Sequence, residues 1–170
     1  MTRPPGPLAD PAPHLAALAD AMRDPGQPTP SLASIERVCA ATLGHILFTV
    51  LLRHETTGEA ERFWTSHPKE YPVGGRKPLN PTFWTDHVLK QQRPYLGNDY
   101  EAVKAVFFDH ELIRSLGCES VLNIPVVWNG RALGTINLLH EAGWYRKDDI
   151  PLARTIAALS VPAYLMLVNR

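Results

Sequence analysis

The stretch Asp109–Glu141, DHELIRSLGCESVLNIPVVWNGRALGTINLLHE, decides how the rest of the chain must be arranged. It runs from the end of a helical pattern through a break at Gly117 into an apolar run. The dipeptide Asn129-Gly130 and a second apolar run follow. Asn and Gly tolerate the positive φ that both central positions of a type I′ turn require, and that turn twists as two antiparallel strands need. The order is therefore helix, strand, tight turn, strand.

With Asn129 and Gly130 as the turn, regular pairing sets Trp128 opposite Arg131, Ile124 opposite Thr135 and Asn123 opposite Ile136. Alternation then puts Val121, Asn123, Pro125 and Val127 on one face with Ala132, Gly134, Ile136, Leu138 and His140. Both faces are largely apolar, so each must be covered by other parts of the chain. The hairpin is predicted to be central, with a few buried polar groups that need partners.

Working outward, Ser31 can cap a helix carrying Ile35, Val38, Cys39 and Thr42 as far as Gly44. His45–His54 and Ala60–Ser66 read as a first hairpin bent at Gly58, and His67–Pro81, with four prolines and Gly74-Gly75, as a loop. A helix is expected from Asn80 or Thr82 to about Gln92, then a short extended piece over Arg93–Asn98. Asp99 can cap a helix over Tyr100–Leu116, and the last helix starts at Asp148 or Asp149 and contains Pro162. Residues 1–30 hold eight of the 16 prolines and form a tail or extended wrap, within which His14–Arg23 can be a short helix. Residues 31–170 form the domain.

The fold class is thus α+β. A central antiparallel sheet carries the first and last helices on one face, and connecting helices and loops enclose a pocket on the other. At 170 residues this is one domain able to bury a core without staples. Seventeen basic and 17 acidic residues cancel, leaving no electrostatic footprint for nucleic acid or an anionic membrane. Cys39 and Cys118 are far apart and outside any CxxC spacing, so neither a metal site nor a disulfide framework is expected. Reduced thiols fit a cytoplasmic location. No uninterrupted apolar stretch reaches the roughly 18–20 residues of a membrane span.

The order helix, Leu116-Gly117, Glu119-Ser120-Val-Leu-Asn-Ile-Pro125-Val, a turn ending in Gly130, then Leu133-Gly134-Thr-Ile-Asn-Leu138 resembles the GAF domain family of small-molecule sensor modules. The resemblance covers roughly residues 31–169, with the sharp matches in the last third. It implies the sheet-and-pocket architecture just reached from pattern, and a metabolite as ligand. The segment is also similar to the GAF segment of phytochromes, where positions matching Asn123, Pro125 and His140 line the chromophore cavity. No cysteine occupies the middle of the 100–116 segment, where bilin-binding relatives attach their chromophore, so no cofactor is expected.

The ligand contacts read from the chain are Asn123 and His140, with His110 as a third polar group. Phe107, Trp84, Ile136 and Leu138 are the apolar contacts, and Cys118 lies near the same place. The condition of this reading is that Asn123 and His140 share one side of the sheet; side chains on different sides would end it and leave only a compact scaffold. Function is then small-molecule binding without catalysis, in a homodimer joined through the terminal helices. Two alternatives stay open. Free methionine-R-sulfoxide reductases are GAF proteins, and a redox enzyme of that kind would use Cys118, with Cys39 as its one possible partner. A structural dimerisation module would have its pocket packed shut by Phe107 and Phe108, and a cavity of about 300 Å³ or more argues against it.

Overall fold

The computed structural model describes Arg3 and residues 5–169. Its centre is an antiparallel sheet of six strands: β1 (Leu47–His54), β2 (Glu59–Thr65), β3 (Arg76–Pro78), β4 (Tyr95–Gly97), β5 (Ser120–Trp128) and β6 (Arg131–His140). They lie in the order β3-β2-β1-β6-β5-β4. The β5–β6 hairpin turns at Asn129 (φ 49°) and Gly130 (φ 74°), both left-handed as a type I′ turn demands.

The pairing within that hairpin departs from regular alternation. Val126 pairs with Gly134 but Val127 with Ala132, so Leu133 is an extra residue on β6. Such a bulge displaces everything beyond it by one position, and a one-residue slip exchanges the faces of the strand. Asn123 therefore pairs with Asn137 and Ile124 with Ile136. Ile136 and Leu138 join the core under the terminal helices, away from Asn123, and His140, paired with Ser120, projects to that same side. The expectation that His140, Ile136 and Leu138 share the face of Asn123 is corrected by this bulge. Gly134, beside the bulge, lets β1 approach closely: a Cβ there would lie 2.0 Å from the Leu51 carbonyl oxygen across the β1–β6 ladder.

The helix-side face is closed by α1 (Pro11–Ala21), α2 (Thr29–Thr42) and α5 (Ile150–Val168), whose apolar sides meet Phe48, Val50, Leu122, Ile124, Ile136 and Leu138 in one core. Asp10 caps α1 by accepting from the Ala12 amide, and Leu18 is fully buried. At α2 the flanking residue is Pro28 rather than Ser31, whose hydroxyl instead donates to Gln27 Oε1. Pro30 in the first turn moves the start forward, since its missing N–H would be unpaired there in any case. Residues Lys147–Val168 are long and apolar enough to cross a membrane by length and composition. Ala153, Ile156, Tyr164 and Leu167 are nevertheless buried on the sheet, as in a core helix, while Met166 points outward.

Arg3 and Leu8 reach back over this layer, the Leu8 amide donating to the Thr42 carbonyl. Arg3 Nη1 donates to Asp149 at 2.7 Å, with both side chains buried, and its guanidinium lies 5.6 Å from the Trp144 ring.

The opposite face is covered by short pieces, and three segments differ from expectation. The helix expected to end near Gln92 is completed by a π-helical turn, Thr85–Lys90, burying Val88 and Leu89. The helix expected over Tyr100–Leu116 is split into α3 (Tyr100–Val106) and α4 (His110–Ser115). Asp99 caps α3 through the Ala102 amide, as its position suggested. The split falls at Phe107-Phe108-Asp109, residues of modest helix propensity, where Phe107 becomes extended and Asp109 approaches Arg62. Strand β3, within the segment read as a loop, pairs with Glu59–Glu61 at the sheet edge, where Pro78 costs no interior ladder bond.

Candidate functional site

The split helix, the π-helical turn and the Pro-rich segment 67–81 stand off from the sheet and leave a cavity of about 390 Å³. Its floor is the polar part of the central strands. Trp84 Nε1 donates to Asn123 Oδ1 at 2.8 Å, Asn123 Nδ2 to Asn137 Oδ1 at 2.8 Å, and Asn137 Nδ2 to Thr49 Oγ1 at 3.0 Å. Asn123, Asn137 and Thr49 are all buried, on β5, β6 and β1. Each member is fixed by the next, because an unpaired amide at such depth costs about 1–3 kcal/mol. The relay holds the Trp84 ring in place as a wall.

Phe107 and Phe108 provide further aromatic wall, and Arg62, Lys77 and Asp109 are the ionisable groups of the lining besides Tyr71. Arg62 lies 3.6 Å from Asp109, donates to the Pro72 carbonyl, and stacks 3.5 Å above the Tyr71 ring. Burial first, and the Asp109 carboxylate second, push the Tyr71 phenol above its ordinary range, so it is a neutral donor at physiological pH. A second β-bulge, between Val50 and Leu51, sets Arg62 opposite Leu51 and turns it into the cavity. Gly74 and Gly75, both at positive φ, pass close to the lining without side chains.

Of the residues read from the sequence, Trp84 and Phe107 line the cavity and Asn123 supports it from behind. His110 does not join them: its Nδ1 is hydrogen-bonded to the Tyr100 hydroxyl at 2.7 Å. Cys118 is fully buried in a separate cluster with Leu47, Val103 and Val121. Burial pushes its thiol up to about 12, which keeps it protonated at neutral pH, and Cys39 is packed in the helix-side core. His140 stacks on Trp144 at 3.5 Å on the far side of the sheet, so the condition that it share a side with Asn123 is not met. The binding reading that rested on Asn123 and His140 acting together therefore fails, Ile136 and Leu138 lose their assigned contacts as well, and a binding site can be argued only from the cavity lined by Thr49, Asn137 and Trp84.

Thr49, Asn137, Arg62 and Asp109 were missed. The first two carried a signal, since each is a polar residue inside an apolar run on a central strand (ILFTVLL and GTINLL). Arg62 did not, because its direction depends on the bulge. The cavity exceeds the volume at which a pocket packed shut by Phe107 and Phe108 can be maintained as a description.

The GAF domain family model matches residues 32–161. Comparison with curated protein sequences gives no match. Among solved structures, the GAF domain of a phosphoenolpyruvate-protein phosphotransferase from Coxiella burnetii aligns with a TM-score of 0.67 at 16% identity, covering 93% of this chain and 98% of that one. The GAF domain of a two-component sensor histidine kinase from Bacillus halodurans aligns at 0.64 and 14% identity, covering 82% and 95%. The chromophore-binding domain of the Stigmatella aurantiaca bacteriophytochrome aligns at 0.63 and 9% identity, covering 94% of this chain and 61% of that chain. At these identities the likeness is one of fold. With the family match spanning most of its length, the chain belongs to the GAF domain family, a family of sensory and ligand-binding modules.

Proposed function

We propose that this protein is a regulatory module that encloses a small metabolite in the cavity between Thr49, Asn137 and Trp84, without catalysis of its own. The observation that carries the reading is a cavity of about 390 Å³ with a buried, hydrogen-bonded amide floor under aromatic walls. Ligand sites combine these features: mostly apolar lining, a few fixed polar groups, and a volume of about 300–1,000 Å³. The strands that carry Asn137 and Thr49 on one side carry Ile136 and Val50 on the other, against α2 and α5. Occupancy can therefore bias the terminal helices, through which a cytoplasmic homodimer would pass the signal, with exposed Met166 of α5 at the contact.

Native mass spectrometry of the protein purified from its own host tests this. The reading expects a retained small molecule, lost in Ala60→Phe, which places a ring inside the cavity lining. A retained molecule that survives this substitution, or a host-purified protein that is empty and binds nothing from a metabolite extract, contradicts it.

A further inference from the structure

The cavity's charge and its unused hydrogen-bonding capacity define a ligand class, and this step rests on the binding reading above. The ionisable side chains of the lining include two cations, Arg62 and Lys77, and one carboxylate, Asp109. Arg62 and Asp109 face each other at 3.6 Å, and Arg62 also donates to the Pro72 carbonyl, so that cation is engaged within the protein. Lys77 is different. Among the described residues no carboxylate lies within ion-pair distance of its Nζ, which instead sits 4.2 Å over the Phe108 ring. Phe108 is 77% exposed, so this contact spans the mouth between β3 and the break separating α3 from α4.

At the other end, Thr49 Oγ1 accepts from Asn137 Nδ2, and no hydrogen bond among the described residues uses the Thr49 hydroxyl proton as donor. Thr49 is 4% exposed and lines the cavity. A buried hydroxyl with a free proton favours an acceptor on the guest. Between these two ends the guest passes Trp84, whose plane is fixed by its bond to Asn123, and Phe107. Flat aromatic walls favour a flat aromatic ring by offset or edge contact.

We infer that the ligand is a one- or two-ring aromatic carboxylic acid, its carboxylate drawn to Lys77 at the mouth and a hydroxyl or carbonyl oxygen at its far end accepting from Thr49. The carboxylate replaces the Phe108 ring as the partner of Lys77. Carboxylate and ammonium at a partly wet mouth also make binding sensitive to salt.

Isothermal titration with 4-hydroxyphenylacetate and its neutral amide tests the assignment. The acid is expected to bind about tenfold or more tightly than the amide, the usual difference for a hydrogen bond to a charged group. Lys77→Met removes that difference, while Lys69→Met, on the exposed surface, leaves it intact. Equal affinity for acid and amide, or an acid affinity unchanged by Lys77→Met, overturns the carboxylate assignment while leaving a binding cavity in place. Acid binding that persists in Ala60→Phe places the compound elsewhere and overturns the assignment too. If neither compound binds at millimolar concentration, the inference falls, and failure of the host-purified protein to retain or bind any metabolite then removes the binding reading itself.

Discussion

Removing both amides of the relay together should cost less than the sum of removing each alone, and the size of that shortfall measures the relay. In Asn137→Leu, Asn123 Nδ2 loses its acceptor at 2.8 Å and Thr49 loses its donor at 3.0 Å. Asn123 is fully buried, so leaving its amide without that acceptor is expected to cost about 2 kcal/mol. In Asn123→Leu, the Trp84 indole N–H and Asn137 Oδ1 are orphaned instead, again for about 2 kcal/mol. The double variant has already lost the shared bond and packs two apolar side chains against each other. Its cost should fall short of the sum by roughly 1–2 kcal/mol, within the range seen for contacting residues. Equilibrium urea unfolding of the four proteins gives the coupling directly. A value within about 0.3 kcal/mol of zero, typical of independent sites, would refute the claim that the two amides share one network.

Gly134→Ala drives a methyl to 2.0 Å from the Leu51 carbonyl and 3.0 Å from Tyr164, so β1 and β6 must part; a loss of about 3 kcal/mol or more is expected in urea unfolding. Arg3→Met leaves Asp149 buried with only the Arg146 amide and should lower stability by about 2–3 kcal/mol, read as a shifted denaturation midpoint. The Cys118 thiol, raised in the folded state to about 12, contributes stability that is complete below its unfolded pKa and is lost as pH rises toward the folded value. Stability should therefore fall from about pH 9 upward, by up to about 1.4 kcal/mol per pH unit for each such thiol. Cys118→Ala should flatten that slope in urea titrations at several pH values. His45 behaves oppositely: burial lowers its pKa, outweighing the Glu36 carboxylate, and both ring nitrogens are buried. Its contribution is present above the unfolded histidine pKa and lost as pH falls, and His45→Phe should reduce acid sensitivity below about pH 6.5.

The order of elements was legible because each carried a local signal: the Asn129-Gly130 turn, the Asp99 cap, the apolar periods of β1 and of α5. What could not be read is where a strand gains a residue. Leu133 looks like any other member of β6, yet its insertion moves Asn137 into the site and His140 out of it. The break at Phe107–Asp109 has only a weak local signal in residues of modest helix propensity, and its ion-pair partner, Arg62, lies on a distant strand. Strand β3 has only three residues, too few for alternation to register. Trp84 and Phe107, whose direction follows from local pattern, line the cavity; Asn137, Arg62 and His140 take their direction from a bulge, and Asp109 its place from the helix break.

The most direct measurement is a chemical-shift titration of 15N-labelled protein with a bound ligand, followed at the Trp84 indole N–H and at the Asn123 and Asn137 side-chain amides, which form the cavity's wall and floor. These resonances should move together and saturate at one equivalent, with shifts well above those of His140 and Trp144, stacked on the other side of the sheet. Shifts concentrated around His140 and Trp144, with the amide floor unmoved, would contradict binding in the cavity.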